Sequence, residues 1–382
     1  MDFSLPDELR AFQQMVRRFV DTELIPLEHN EQRGLLPATR ARLRALTRDM
    51  GLWLLDVPQS LGGQGLSVLG QSIFWEEISR SVAILPRDFY IFGPFVGAVL
   101  IQLKGEQKER YLDPVLRGEK VACFAQTEPD AGSDPASMRT RAVRDGDHYV
   151  INGVKRFITD AEKADFAQLM ALTDPVKGAR GGVSCFLVDM NTPGVKVTTQ
   201  YQTMMGEAPC EVVFQDARVP ATNLIGNEGD GFRLAQEWIT LGRILRHGAR
   251  ACGVAERCLE MGASYAKQRV TFGAPLATRQ SIQWMLADTY TELQAARHMV
   301  RYAAWKLDQG EDVRTESHIA KMYSVEMGFR AADRCLQIHG GIGLTTDFQV
   351  EKFWRDQRPY LITEGAAEVM RMTVARHVLK YY

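Results

Sequence analysis

The stretch from Ile282 to Leu307 constrains this chain more than any other. Ile282, Leu286, Thr289, Leu293, Ala296, Val300, Ala303 and Leu307 recur at alternating spacings of four and three. Only a helix gathers such positions on one face, and a narrow apolar stripe of this length is the seam of a helical bundle. Gly310 is placed to end the helix. A seam needs partners, and the surrounding chain offers them. Ile319, Met322, Phe329, Ala332 and Leu336 predict a second buried face, and Val369 to Leu379 a third. The helical period holds from about residue 231 to the end.

The N-terminal third also reads as helical. Leu5, Leu9, Phe12, Val16, Phe19 and Val20 give one helix closed by Pro26. Others are expected over 37–50, 68–80 and 90–104, with a short one ending near Gly118. The glycine-rich segment Gly62-Gly63-Gln64-Gly65 lacks the lysine of a phosphate loop and reads as a turn. Between about 121 and 230 the pattern becomes short β-rich runs: His148–Gly153 ending in an Asn-Gly turn pair, then Phe166–Leu172, Gly182–Val188, Val195–Thr199 and Glu211–Phe214. The expected architecture is therefore α+β and multidomain. It has an N-terminal helical domain over 1–120, a central β-sandwich or barrel over 121–230, and a C-terminal helical bundle over 231–382.

Composition closes off several function classes. A net charge of -1 gives no basic footprint for nucleic acid or an anionic membrane, and no apolar run approaches a membrane span. Met1-Asp2-Phe3-Ser4 does not open a secretory leader. The cysteines at 123, 185, 210, 252, 258 and 335 form neither a Cys-x-x-Cys pair nor a metal-spaced cluster, which fits buried, reduced thiols and a cytoplasmic location.

Candidate chemistry sits in a few short stretches. Thr127-Glu128-Pro129-Asp130-Ala131-Gly132-Ser133-Asp134 follows the expected strand Val121–Ala125 and offers hydroxyls, amides and a close backbone approach at Gly132. In Asn152-Gly153-Val154-Lys155-Arg156-Phe157-Ile158-Thr159, Phe157 and Thr159 share one strand face, a ring to stack and a hydroxyl to bond. Arg269-Val270-Thr271-Phe272-Gly273 suits a pyrophosphate beside a ring. Gln337-Ile338-His339-Gly340-Gly341-Ile342-Gly343 runs from a helix end into a glycine turn. Glu364 follows the apolar run Tyr360, Leu361 and Ile362; low dielectric there predicts a carboxylate that resists ionising and so makes a stronger base.

These motifs, with Val219-Pro220, Gly226 to Phe232 and Trp354-Arg355-Asp356, stand in the order of the acyl-CoA dehydrogenase family, which the chain resembles over its whole length. The resemblance implies an α-domain, a β-domain and a C-terminal four-helix bundle, with FAD bound non-covalently. It implies oxidation of an acyl-CoA to the trans-2-enoyl-CoA. Phe124, Thr127, Gly132 and Ser133 would meet the flavin or its ribityl part, and Phe157, Ile158 and Thr159 would line its ring. Arg269 and Phe272 would reach FAD across a dimer interface, and Gln337, Gly340 and Gly341 would hold the adenosine half. Glu364 would be the catalytic base, and Ser133, Phe92, Phe95, Arg243, Thr363 and Gly365 would line the substrate. Gly242 stands where some branches carry the base instead. A homotetramer built as a dimer of dimers and an electron-transferring flavoprotein as acceptor complete the picture.

The chain departs from the pattern at several positions. Ala366 and Glu368 replace the usual threonine and glutamine beside FAD, Phe157 a frequent tryptophan, and Gln126 an aliphatic residue; Glu207-Ala208-Pro209-Cys210 is atypical. Arg87, Phe89, Tyr90, Phe92 and Phe95, on an expected helix lining the acyl pocket over about 87–100, favour a short, branched or cyclic acyl group. Two alternatives remain: a flavin oxidase or monooxygenase of the same fold, and a non-catalytic subunit that binds acyl-CoA or a partner.

Overall fold

The computed structural model describes residues 4–29, 34–84 and 89–382. The chain forms two compact units: one joins Met1–Asp88 to Thr240–Tyr382, and the other runs from Phe89 to Ile239. The N-terminal helices thus belong with the bundle.

In the first unit the centre of the expected seam is buried, while Ile282, Leu286 and Leu307 are half-buried. Helix Gln280–Asp308 buries Thr289, Leu293, Ala296, Val300 and Ala303. It packs beside Arg250–Gln268 and Arg314–His339, whose Cys252, Ala255, Ala320, Met327 and Ala331 share its core. The second face differs from expectation. Met322 and Phe329 are only half-buried, while Ala320, Ser324, Gly328, Ala331, Ala332 and Cys335 are buried. The buried face is thus turned toward these small residues with Val325 and Met327, which leaves Met322 and Phe329 at its edge. The last helix, Ala367–Tyr381, buries only Ala367 and Met370, and Leu379 is fully on the surface.

Helices α1 (Asp7–Phe19), α2 (Pro37–Asp49) and α3 (Val68–Ile78) come from the N-terminal segment. The start of α3 is capped twice, by Ser67 and by Asp308, whose carboxylate accepts from Val68 N and Leu69 N at 2.6 and 2.9 Å. Val68, Leu69 and Trp75 then pack on the bundle core. Two buried carboxylates on α3 are matched by arginines. Glu76 meets Arg297 at 2.6 Å and Arg301 at 3.5 Å, and Glu77 meets Arg17 at 2.8 Å.

In the second unit β1 (Ala122–Ala125), β2 (Arg141–Asp145), β3 (His148–Ile158), β4 (Phe166–Leu172), β5 (Val183–Asp189), β6 (Val195–Gln200), β7 (Cys210–Pro220) and β8 (Leu224–Ile225) form one eight-stranded sheet, with the path β6-β7-β3-β2-β4-β5-β8 and β1 beside β4. Its strands β2 (Arg141–Asp145) and β4 (Phe166–Leu172) touch only through the pair Arg141–Leu172. Residues from both halves, including Tyr149, Leu169, Phe186 and Phe214, fill one core, so the open sheet folds over it as the layers of a sandwich do. Asn152-Gly153 is not a turn. Strand β3 (His148–Ile158) continues through it with a bulge against β7 (Cys210–Pro220), and the Asn152 side chain exchanges hydrogen bonds with Asp216.

The expected helix over 90–104 is also absent. Only the turns Phe89–Phe92 and Gly97–Leu100 form, because Gly93 and Gly97 take φ of 114° and 72° on either side of Pro94. A Cβ at 97 would collide with the Trp238 ring, so this bend also makes room for the tryptophan.

Candidate active site

The site centres on a backbone corner. Glu364 takes φ of 52°, in the left-handed region, and Gly365 follows at 103°. A non-glycine residue there stores strain, which the surroundings must hold in place. They do so through the main chain. Arg243 Nε donates to Glu364 O at 3.1 Å and Lys321 Nζ to Gly365 O at 2.5 Å, and both cations are buried.

The Glu364 side chain is one-fifth exposed. Its Oε1 accepts from Arg246 Nη2 at 2.7 Å and Nε at 3.3 Å. Its Oε2 is buried and accepts no hydrogen bond. A Cβ at 242 would collide with that Oε2 and with the Arg246 guanidinium, so the carboxylate lies against the bare Gly242 backbone. The apolar-wall expectation therefore needs correcting. Burial does push the carboxyl up, but the Arg246 charge, the His247 ring and the Arg246 hydrogen bond, with Arg243 behind, hold it below the ordinary 4.5.

Arg243, Arg246 and His247 come from one turn of helix, Arg243–Ala249, wound as a π-helix ahead of Arg250–Gln268. Such wide turns re-aim side chains. His247 Nε2 lies 2.8 Å from Thr363 Oγ1 and its Nδ1 3.2 Å from Gly242 O. Burial pushes this imidazole down to about 3, so it is neutral and spaces Thr363 without adding charge. Burial likewise lowers Lys321 to about 8. Arg246, His247 and Lys321 were missed in the sequence. Polar residues at 243, 246, 247 and 250 follow the i, i+3, i+4, i+7 rule within a buried helix, and that was the available signal.

Arg243, Thr363, Glu364 and Gly365 thus meet at one place. Other candidate positions in this unit lie on exposed turns. Phe272, at φ of 49° and 99% exposed, tips the hairpin Val270–Thr271/Ala274–Pro275 next to Arg269. Gln337 is exposed in the last turn of Arg314–His339, and Gly340 and Gly341 follow with open space where a Cβ would stand. Ala366 is the N-cap of the last helix, without a capping side chain, and Glu368 lies exposed in its first turn.

In the Phe89–Ile239 unit, Phe157 has φ of 58° and is 55% exposed beside Tyr201; Ile158 is buried and Thr159 exposed. The hydroxyls of Thr127, Ser133 and Thr159 bond no described residue, and open space surrounds Gly132. Two residues of the same motifs are structural. Lys155 and Glu128 form a buried pair at 2.8 Å, and Glu128 also accepts from Arg139 N and Thr140 N. Phe124 stacks on Trp238 at 5.1 Å, and Phe95 meets Trp238 edge-on at 4.8 Å; Phe92 is buried. Arg87 and the Phe89 side chain lie outside the described residues. Within the Phe89–Ile239 unit, an exposed ring, free hydroxyls and open glycine backbone have the chemistry to meet a flat ring with a polar edge, as the flavin of FAD has.

Family models described as the N-terminal, middle and C-terminal domains of acyl-CoA dehydrogenase match residues 6–119, 123–217 and 229–379. The chain belongs to the acyl-CoA dehydrogenase family. It is 35% identical to acryloyl-CoA reductase (NADH) of Anaerotignum propionicum, over 100% of this chain and 96% of that protein. It is 34% identical to the mitochondrial short-chain specific acyl-CoA dehydrogenase of Homo sapiens, over 99% and 92%. A solved structure of PigA with FAD and proline superposes with a TM-score of 0.89 at 27% identity, covering 99% of each chain. As a member of this FAD-dependent family, the chain is an acyl-CoA dehydrogenase, an oxidoreductase that carries out FAD-linked dehydrogenation of an acyl-CoA. Among the described residues no helix is long and apolar enough to cross a membrane.

Proposed function

We propose that Glu364 is the base that removes the α-proton of a short-chain acyl-CoA thioester, giving the trans-2-enoyl-CoA. The observation that carries this reading is the unequal state of its two oxygens. Oε1 is held by Arg246, while buried Oε2 has no donor. A buried acceptor without a donor costs free energy that an incoming proton relieves. Gly242 leaves room for that oxygen, which lies 3.5 Å from His247 Nδ1, and the Arg243 and Lys321 contacts fix the corner from which it projects.

Thr127, Ser133, Phe157 and Thr159, with Arg269, Phe272, Gln337, Gly340 and Gly341, would hold FAD. Bound FAD supplies the acceptor for the β-hydrogen as hydride. Thr363, oriented by His247, and Gly365 flank the acyl carbons nearest the base. The names of the short-chain and acryloyl-CoA relatives favour a short acyl chain. An electron-transferring flavoprotein is the proposed acceptor. A homotetramer is the proposed assembly, and exposed Phe272, Trp284 and Leu379 give it apolar surface to bury. Six described cysteines, all free and buried, support a reducing compartment such as the cytoplasm.

Anaerobic titration of Glu364→Gln tests the assignment. The variant should stay yellow and bind acyl-CoA, yet bleach about 10³-fold more slowly, since general-base groups contribute about 10²- to 10⁴-fold. Bleaching at the wild-type rate would remove Glu364 from the mechanism.

A further inference from the structure

His247 lies between Gly242, Thr363 and Glu364. Its ring is 3% exposed and meets the Tyr360 ring at right angles, with centroids 5.0 Å apart. Nδ1 lies 3.2 Å from Gly242 O and 3.5 Å from Glu364 Oε2, and Nε2 lies 2.8 Å from Thr363 Oγ1. A carbonyl oxygen and an ionised carboxylate can only accept, and a neutral imidazole has one N–H. A bare Nδ1 would turn its lone pair on two oxygens, so the ring proton belongs on Nδ1. Nε2 is then the acceptor, and the hydrogen that reaches it comes from the Thr363 hydroxyl. That hydroxyl has a second choice, Pro359 O, but at a longer 3.4 Å, and this oxygen already accepts from Thr363 N at 3.0 Å. Burial lowers the ring to about 3, so no second ring proton is present at neutral pH.

The Nδ1–H thus points into the gap between Gly242 O and Oε2. At 3.5 Å it is too long for a hydrogen bond to Oε2, an oxygen that accepts none. A polar hydrogen beside a carboxylate favours the ionised form, whereas a lone pair there would favour the protonated one. The cations near the carboxylate are engaged elsewhere: Arg246 bonds Oε1, Arg243 bonds Glu364 O and Lys321 bonds Gly365 O. Beyond them, Asp56 faces Arg246, His318 faces Arg243, and Glu326 and Glu368 face Lys321. We propose that His247 is a positioning residue for the proton transfer: its Nδ1–H, fixed by Thr363 at the other nitrogen, keeps Glu364 ionised and holds Oε2 ready for the substrate proton. This rests on Glu364 as the base. The α-proton passes to Oε2 and the ring keeps its own, so no bond to His247 forms or breaks.

FAD-loaded wild type, His247→Asn, His247→Gln and His247→Phe are compared by anaerobic flavin bleaching with butyryl-CoA across pH. An asparagine amide sets an N–H close to the place of Nδ1, and a glutamine amide sets one close to the place of Nε2. Phenylalanine keeps a ring and removes both polar atoms. Without the Nδ1–H, Glu364 should take a proton at higher pH. In the Phe and Gln variants the acid limb should therefore move up by about one pH unit, an about tenfold loss of rate on that limb, while the alkaline plateau is kept. The Asn variant should leave the limb in place. A purely structural loss would lower the plateau instead. An acid limb that Phe leaves unmoved, or that Asn and Gln move equally, overturns the proposal; if Phe fails to hold FAD, the Asn and Gln pair still decides. Nitrogen-edited NMR of histidine-labelled holoenzyme reads the tautomer itself. His247 should show a protonated Nδ1 and a bare Nε2, and the opposite tautomer overturns the proposal. Glu364→Gln bleaching at the wild-type rate would sink the base assignment and yet leave the wild-type tautomer standing, so the two failures are distinct.

Discussion

At the residue scale, Glu364 is shaped as much by what its neighbours lack as by what they supply. Gly242 has no side chain, and the space left is filled by Oε2 and by the Arg246 guanidinium. Both are ends of flexible side chains, so Gly242→Ala should displace them at little cost to the fold. Its effect on rate should be large, because small errors in placing a reacting group cost about 10²-fold. The expected outcome is near-wild-type melting with kcat lower by about 10²-fold; an unchanged kcat means that the carboxylate works from another position. The proposal of Glu364 as base comes from the sequence, where the Glu-Gly pair and the surrounding motifs point to it. Its electrostatic state was not legible there. The flanking residues 360–362 are apolar, but the groups that lower its titration are Arg246, His247 and Arg243. No local window contains that pairing across more than a hundred positions.

At the element scale, the same limits decide what could be read. The seam over 282–307 was legible because a period of alternating four and three has one structural solution. The segment over 90–104 failed because its apolar residues look periodic while Gly93, Pro94 and Gly97 forbid the helix. Asn152-Gly153 failed for a related reason: the pair favours a turn locally, but pairing with β7 on one side holds it in the strand as a bulge. The departure at Ala366 gains a physical meaning here. It is an N-cap with φ of -57° and ψ of 151°, the extended conformation suited to a capping hydroxyl, yet alanine offers none. Glu368 lies in the first turn, where its charge complements the helix dipole. Ala366→Ser should therefore stabilise the last helix by about 1 kcal/mol. Slower amide exchange over residues 367–371 is the measure, and no change there means that the cap is already satisfied by other groups.

At the scale of the whole molecule, the N-terminal helices and the bundle are one compact unit, although more than 150 residues of β-rich chain separate them in sequence. Glu76 shows why they cannot be parted. It is 3% exposed on α3, and its two oxygens meet Arg297 and Arg301 of the seam helix. Arg297 also pairs with Glu256, and Arg17 of α1 bridges Glu77 and Glu256, so α1, α3 and two bundle helices share one buried network. Removing one partner from such a network strands the others without counterions, at a cost of about 3 kcal/mol or more. If α3 were only an appendage, Glu76→Ala would loosen α3 and leave the seam protected. Shared burial predicts a different result: hydrogen exchange in Val68–Ile78 and in Gln280–Asp308 should accelerate together, by about 10²-fold for a loss near 3 kcal/mol. Acceleration confined to α3 would show that the N-terminal helices unfold on their own. The joint outcome means that the bundle behind Arg243 and Arg246 depends on residues at the opposite end of the chain.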